Sequence, residues 1–127
     1  MIGIDTNILL RHLTKDDEAQ LRRVRELFAT GQQLLVSDVV LTEAVWVLRR
    51  TYRFSKEEIA RALETVIENE NFTFYDPAVV YAAFTDYRDR GGDFADYLIG
   101  RRNAAAGCEH TVTFEKALAT HSAFVVL

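Results

Sequence analysis

Apolar residues fall along this chain in two alternating patterns: short continuous runs, and longer stretches whose apolar positions recur at helical spacing. Residues 1–5 read as a buried strand, followed by a helix from about 7 to 13. Lys15-Asp16-Asp17-Glu18 then opens a second helix with acids in its first turn; Leu21, Val24, Leu27 and Phe28 form one stripe, and Gly31 ends it. Leu34-Leu35-Val36 is a short strand. Ser37 or Asp38 caps a third helix running to about 52, and Ser55-Lys56-Glu57-Glu58 is a capping box that starts a fourth, with Ile59, Leu63, Val66 and Ile67 turned inward.

Phe72-Thr73-Phe74-Tyr75 is the next strand, and Pro77 suits the first turn of the helix after it, where a missing N–H costs least. That helix stops near Gly91-Gly92, and another runs from Asp93 or Phe94 to Gly107. Two final strands, 109–113 and 123–127, flank a short helix within 114–120. Strand and helix alternate without linker, repeat or low-complexity tract. This predicts a single α/β domain over 1–127, with a mostly parallel sheet and helices on both faces.

The third helix breaks the usual amphipathic pattern. From Val39 to Tyr52 it is apolar on nearly its whole circumference, apart from Glu43. Such a helix is covered on more than one side, and in so small a domain a second chain is the expected cover, over Trp46 and Tyr52.

With 127 residues, 49% hydrophobic and 27% charged, the chain has the composition of an ordinary soluble globular protein. No stretch approaches a membrane span, and the start shows no basic leader, so the expected location is cytoplasmic. The lone Cys108, next to Gly107, reads as a packing residue and excludes an internal disulfide.

Acidic residues change the picture most. Asp5 follows the first strand, Glu43 lies a turn into the third helix, Asp93 and Asp96 open the sixth, and Glu115 follows Val112-Thr113-Phe114. In a parallel sheet the carboxyl ends of the strands open on one edge, so acids distant in sequence can converge there. Converging carboxylates repel unless a hard divalent cation joins them, and phosphodiester hydrolysis is the chemistry such a centre most often supports. Capping explains Asp5 or Asp93 equally well taken singly. It does not explain Glu43 inside an apolar helix, or Asp96 among Phe94, Ala95, Leu98 and Ile99. Thr6, Asn7 and Thr113 are neutral hydrogen-bonding groups suited to orienting the acids. The net charge of −4 becomes +1 once these five acids are set aside, which removes most of the objection to a nucleic-acid partner.

Other chemistries lack support. His12, His110 and His121 show no zinc spacing and read as surface or helix-end residues. The glycines form neither a P-loop nor a dinucleotide fingerprint. Asp5-Thr6-Asn7 lacks the second aspartate of aspartyl-phosphate enzymes.

Four segments in order, Ile4-Asp5-Thr6-Asn7-Ile8-Leu9, Leu41-Thr42-Glu43-Ala44-Val45-Trp46, Asp93-Phe94-Ala95-Asp96-Tyr97-Leu98-Ile99 and Thr113-Phe114-Glu115-Lys116-Ala117, make the chain resemble the PIN-domain ribonucleases, in particular the VapC-type toxins of toxin–antitoxin pairs. The resemblance spans essentially the whole chain. It implies a three-layer α/β/α sandwich and an endoribonuclease that depends on Mg2+ or Mn2+ and acts on a structured RNA such as tRNA or rRNA. It also implies a homodimer held in check by a cognate antitoxin in a hetero-oligomer. Asp5, Glu43 and Asp96 match the family's metal ligands, and Asp93 an additional acid. Glu115 stands where the family usually has aspartate; its extra methylene keeps the charge and changes the reach, so it ligates directly or through water. Arg11, Arg88, Arg90 and Arg101 are the candidate RNA contacts, with solvated helix faces as the alternative. The rival readings are a PIN-fold protein whose weakened site leaves only RNA or partner binding, and a small flap-type DNA nuclease.

Overall fold

The computed structural model describes residues 1–127, which divide into two compact units, 1–75 and 76–127. In the first unit the order is β1 (Ile2–Gly3), α1 (Thr6–Thr14), α2 (Glu18–Ala29), β2 (Leu34–Leu35), α3 (Asp38–Arg50), α4 (Lys56–Glu68) and β3 (Phe72–Thr73). The three strands pair in parallel in the order β1-β2-β3, with Ile2 opposite Leu34 and Leu34 opposite Phe72. A pair of helices therefore separates each strand from the next, as parallel pairing requires of a crossover.

Local sequence fixes most helix boundaries here. Asp17 caps α2 through Gln20 N–H, and Ser37 caps α3 through Val40 N–H. The Ser55–Glu58 capping box forms at the start of α4 with both its bonds in place. Leu9, Leu34, Leu41, Leu48, Ile59 and Val66 are each at most 1% exposed and form the centre of this unit's core.

One expectation for this unit needs correction. The strand expected over 1–5 is only Ile2–Gly3 and both residues are exposed, because β1 is an edge strand that pairs with β2 alone; Ile4 is the buried residue of the segment. Helix α3 is buried along one side, through Val40, Leu41, Ala44, Val45 and Leu48, while Val39 (68%) and Trp46 (58%) remain exposed.

The second unit contains α5 (Pro77–Asp89), α6 (Phe94–Ala105), β4 (Thr111–Thr113), one turn of 3-10 helix (Lys116–Leu118) and β5 (Phe124–Val126). Pro77 occupies the first turn of α5, with Asp76 capping it. Strands β4 and β5 run parallel, Val112 opposite Val125. Helices α5 and α6 pack together, and Phe84, Tyr87, Phe94 and Tyr97 are almost wholly buried. The helix expected within 114–120 is this single 3-10 turn. Cys108 is exposed, not packed; it follows Gly107, whose φ of +98° lies in the left-handed region that glycine favours. No helix is long and apolar enough to cross a membrane. The architecture is α/β with parallel strands, as the alternation of the sequence requires.

Candidate active site

In the first unit, parallel pairing sets the carboxyl ends of β1 and β2 side by side. The chain leaves β1 through Asp5, whose Oδ1 accepts from Ile8 N–H at 3.1 Å and so caps α1. Capping and ligation are compatible, since a carboxylate offers about four lone-pair directions and the cap takes one. Leaving β2, the chain enters α3, where Glu43 lies a turn in and is exposed. The hydroxyl of Thr6 donates to Glu43 Oε1. That bond joins residues 37 positions apart and orients Glu43 on the same cleft as Asp5.

These residues line a cleft of about 430 Å³, together with Asn7, Arg11 and Tyr52. The Arg11 guanidinium donates from Nε to Gln20 at 2.6 Å and from Nη1 to Tyr52 Oη at 3.1 Å, and it pairs with Asp16. Tyr52 donates in turn to Asp16 Oδ2 at 2.8 Å. The bond to Tyr52, with the charge of Asp16, raises Arg11 above its ordinary pKa. The cleft thus has an acidic side, Asp5 and Glu43, and a wall on which Arg11 is fixed by Tyr52 and charge-paired with Asp16.

In the second unit, Asp93 occupies the N-cap position of α6 with extended backbone angles, yet its side chain makes no capping bond. Asp96 follows in the first turn of the same helix, half-buried. Burial pushes the Asp96 carboxyl up from its ordinary value, and the charges of Asp93 and Glu115 push it further. Glu115 caps the 3-10 turn through Ala117 N–H at 3.1 Å, so its extra methylene is folded back onto its own backbone. Thr113 Oγ1 accepts from the Glu115 N–H at 3.0 Å and holds that residue through its main chain.

The candidate arginines differ in their engagement. Arg101 forms a fork with the Asp86 carboxylate, at 2.7 and 2.9 Å, so contact with a phosphate would require it to leave that pair. Arg88 bonds to Asp89 and lies 5.4 Å over the Phe84 ring. Arg90 closes α5 and is exposed.

One reading from sequence was wrong about burial. His121 is 4% exposed, with Nε2 3.0 Å from Asp86 Oδ2, and is neither a surface nor a helix-end residue. Asp86 itself escaped notice, although the signal was present: it follows Val79 and Ala83 on one helical row, an acid on an apolar face like Glu43. Tyr52 as a wall of the acidic cleft also escaped, since nothing local links it to Arg11.

The chain gathers no group of three or more His, Cys, Asp or Glu side chains at metal-binding spacing. The donor chemistry nevertheless fits a hard divalent ion. Every candidate is a carboxylate oxygen, no thiol or imidazole joins them, and the mutual repulsion that raises Asp96 is what a cation would relieve.

The PIN domain family model matches residues 2–120. A curated relative, the VapC ribonuclease of Aquifex aeolicus (strain VF5), is 27% identical over 115 residues, covering 87% of this chain and 84% of that protein.

Proposed function

This chain belongs to the PIN-domain family, and on that premise we propose that it is a divalent-metal-dependent endoribonuclease, the toxin of a toxin–antitoxin pair, hydrolysing phosphodiester bonds of a structured cellular RNA such as tRNA or rRNA. The observation that carries this reading is the Thr6–Glu43 bond beside Asp5, which gathers two acids from adjacent strand ends on one open cleft. We take the two units as one nuclease domain, since a single family match runs across their boundary.

Asp5, Glu43 and Asp96 hold the metal, Mg2+ or Mn2+, in this reading, and Asp93 acts as a further ligand or orients water. Glu115 acts from outside, because its carboxylate also serves Ala117 N–H. The ion, when bound, supplies activation of water and neutralisation of phosphate charge. Thr6 keeps Glu43 in one rotamer, Asn7 lines the same cleft and Thr113 anchors the Glu115 backbone. Arg11, held by Tyr52 and paired with Asp16, meets the RNA backbone by exchanging that carboxylate for a phosphate, and Arg88 and Arg90 stand at the end of α5. The partners are the RNA, a cognate antitoxin, and a second copy covering Val39 and Trp46 of α3.

The test is cleavage of total cellular RNA by protein freed of any partner, with Mg2+ or Mn2+, with EDTA, and with Asp5→Asn and Glu43→Gln variants. Metal-dependent fragments that fall by about 100-fold or more in either variant are expected. The cap of Glu115 on its own turn favours a second reading, a PIN-fold RNA- or partner-binding regulator with a weakened site. Calorimetric Mn2+ uptake that is absent, or indifferent to Asp5→Asn, selects that reading.

A further inference from the structure

The most deeply buried charged group of the second unit has no part in the chemistry above. Asp86, on α5, is 5% exposed and accepts both arms of the Arg101 fork, from Nε at 2.7 Å and Nη2 at 2.9 Å. On its other side lies His121 Nε2, at 3.0 Å. The Nδ1 of His121 accepts from Ala123 N–H at 3.0 Å, so that nitrogen carries no proton. Nε2 faces the Asp86 carboxylate at that distance without the geometry of a hydrogen bond. Burial alone would push the Asp86 carboxyl up; the bonds from Arg101 and the proximity of His121 outweigh it and hold it below the ordinary aspartate value.

The positions of the two donors matter more than the pair itself. Arg101 lies five residues beyond Asp96 on α6, about 7–8 Å along the helix axis. His121 ends the stretch that begins at Glu115 and passes through the 3-10 turn. One carboxylate on α5 thus tethers both elements that carry this unit's acids. Other contacts tighten the same assembly: Tyr97 donates to Gly91 O, Asn103 Nδ2 to Thr113's strand through Thr111 at 3.0 Å, and the His121 ring lies 5.7 Å from that of Tyr97. The geometry points to Asp86 as a positioning residue, which through Arg101 and His121 holds Asp96 and Glu115 in register for the metal. The inference rests on the metal-dependent reading above.

Calorimetric titration of the full-length protein with Mn2+ tests it, using the wild type, Asp86→Asn, Arg101→Gln and His121→Gln at a temperature where circular dichroism shows each to be folded. Asp86→Asn is expected to raise the Mn2+ dissociation constant about tenfold, the low end of what outer partners of metal ligands contribute. Arg101→Gln should do much the same, and the double variant little more, because both remove one tether. Should Asp86→Asn not fold, Arg101→Gln and His121→Gln carry the test. Metal affinity unchanged in the folded variants overturns the positioning role while leaving the nuclease reading intact. No Mn2+ uptake by the wild type sinks both.

Discussion

Replacing Gly100 by alanine sets two opposing effects against each other within one helix. In an ordinary helix interior the change stabilises by about 1 kcal/mol, since alanine has the better propensity and the smaller entropy loss. Here a Cβ at position 100 would stand 2.3 Å from Cζ of Phe124 and 2.8 and 2.9 Å from its two Cε atoms. Carbon atoms rest about 3.5–4.0 Å apart, so the overlap exceeds what side-chain relaxation absorbs cheaply. The Phe124 ring has little freedom to yield: it is 6% exposed, with the His121 ring at 5.5 Å and that of Tyr97 at 6.3 Å, both near edge-on. Overpacking of this kind costs about 1–3 kcal/mol, and an overlap this deep lies at the upper end, leaving a net loss of about 2 kcal/mol after the propensity gain. For a chain of this size that is a fall in Tm on the order of 4–8 °C. Urea unfolding followed by far-ultraviolet circular dichroism measures it directly. Phe124→Leu alone also destabilises, by lost contact and a partial cavity, but it makes room for the new methyl. The double variant should therefore be more stable than the sum of the two single losses predicts. A neutral or stabilising Gly100→Ala, or strict additivity in the double variant, would show that the ring moves aside freely and that the close packing of α6 on β5 does not constrain this position.

Three further outcomes follow from the geometry. His12 packs edge-on against Phe28 and Phe72, and burial, aided by the Lys15 charge, lowers its pKa from the usual 6.5. The unfolded chain then takes up the proton first, so stability declines as pH falls through 6.5 toward the lower folded value; a pH series of urea midpoints should show this slope in wild type and lose it in His12→Leu. Asp86 behaves in the manner of a lowered acid: its stabilisation is complete above the ordinary value of 3.8 and is lost as pH drops through the folded value, so Asp86→Asn should unfold with a shallower acid limb. Ser55→Ala removes one arm of the α4 capping box and should cost about 1 kcal/mol in the same denaturation assay, with no change in metal uptake.

What could be read from the sequence was what local chemistry decides. The Ser55–Glu58 box, Pro77 in the first turn of α5 and the Gly31 stop after α2 each follow from a few adjacent residues, and each appears where expected. The acids Glu43 and Asp96 stood out because helix periodicity gives no reason for a carboxylate in those rows. The strand at the N-terminus was overextended because its apolar run resembles a buried strand, while sheet order makes it an edge. His121 was misread for a similar reason. Its neighbours Thr120 and Ser122 are exposed and polar, and only the fold brings Asp86, Tyr97 and Phe124 around its ring. The Arg11–Asp16–Tyr52 wall likewise depends on a contact between residues 41 positions apart.

The chain holds one tryptophan and one cysteine, and they fall in different units. Trp46 is 58% exposed on α3, and Cys108 stands open after the Gly107 turn. The native sequence therefore carries an intrinsic fluorescence donor in one unit and a single maleimide-reactive anchor for an acceptor dye in the other. Energy transfer between them becomes a ruler that needs no mutation, readable in real time while Mn2+, RNA or a protein partner is titrated in.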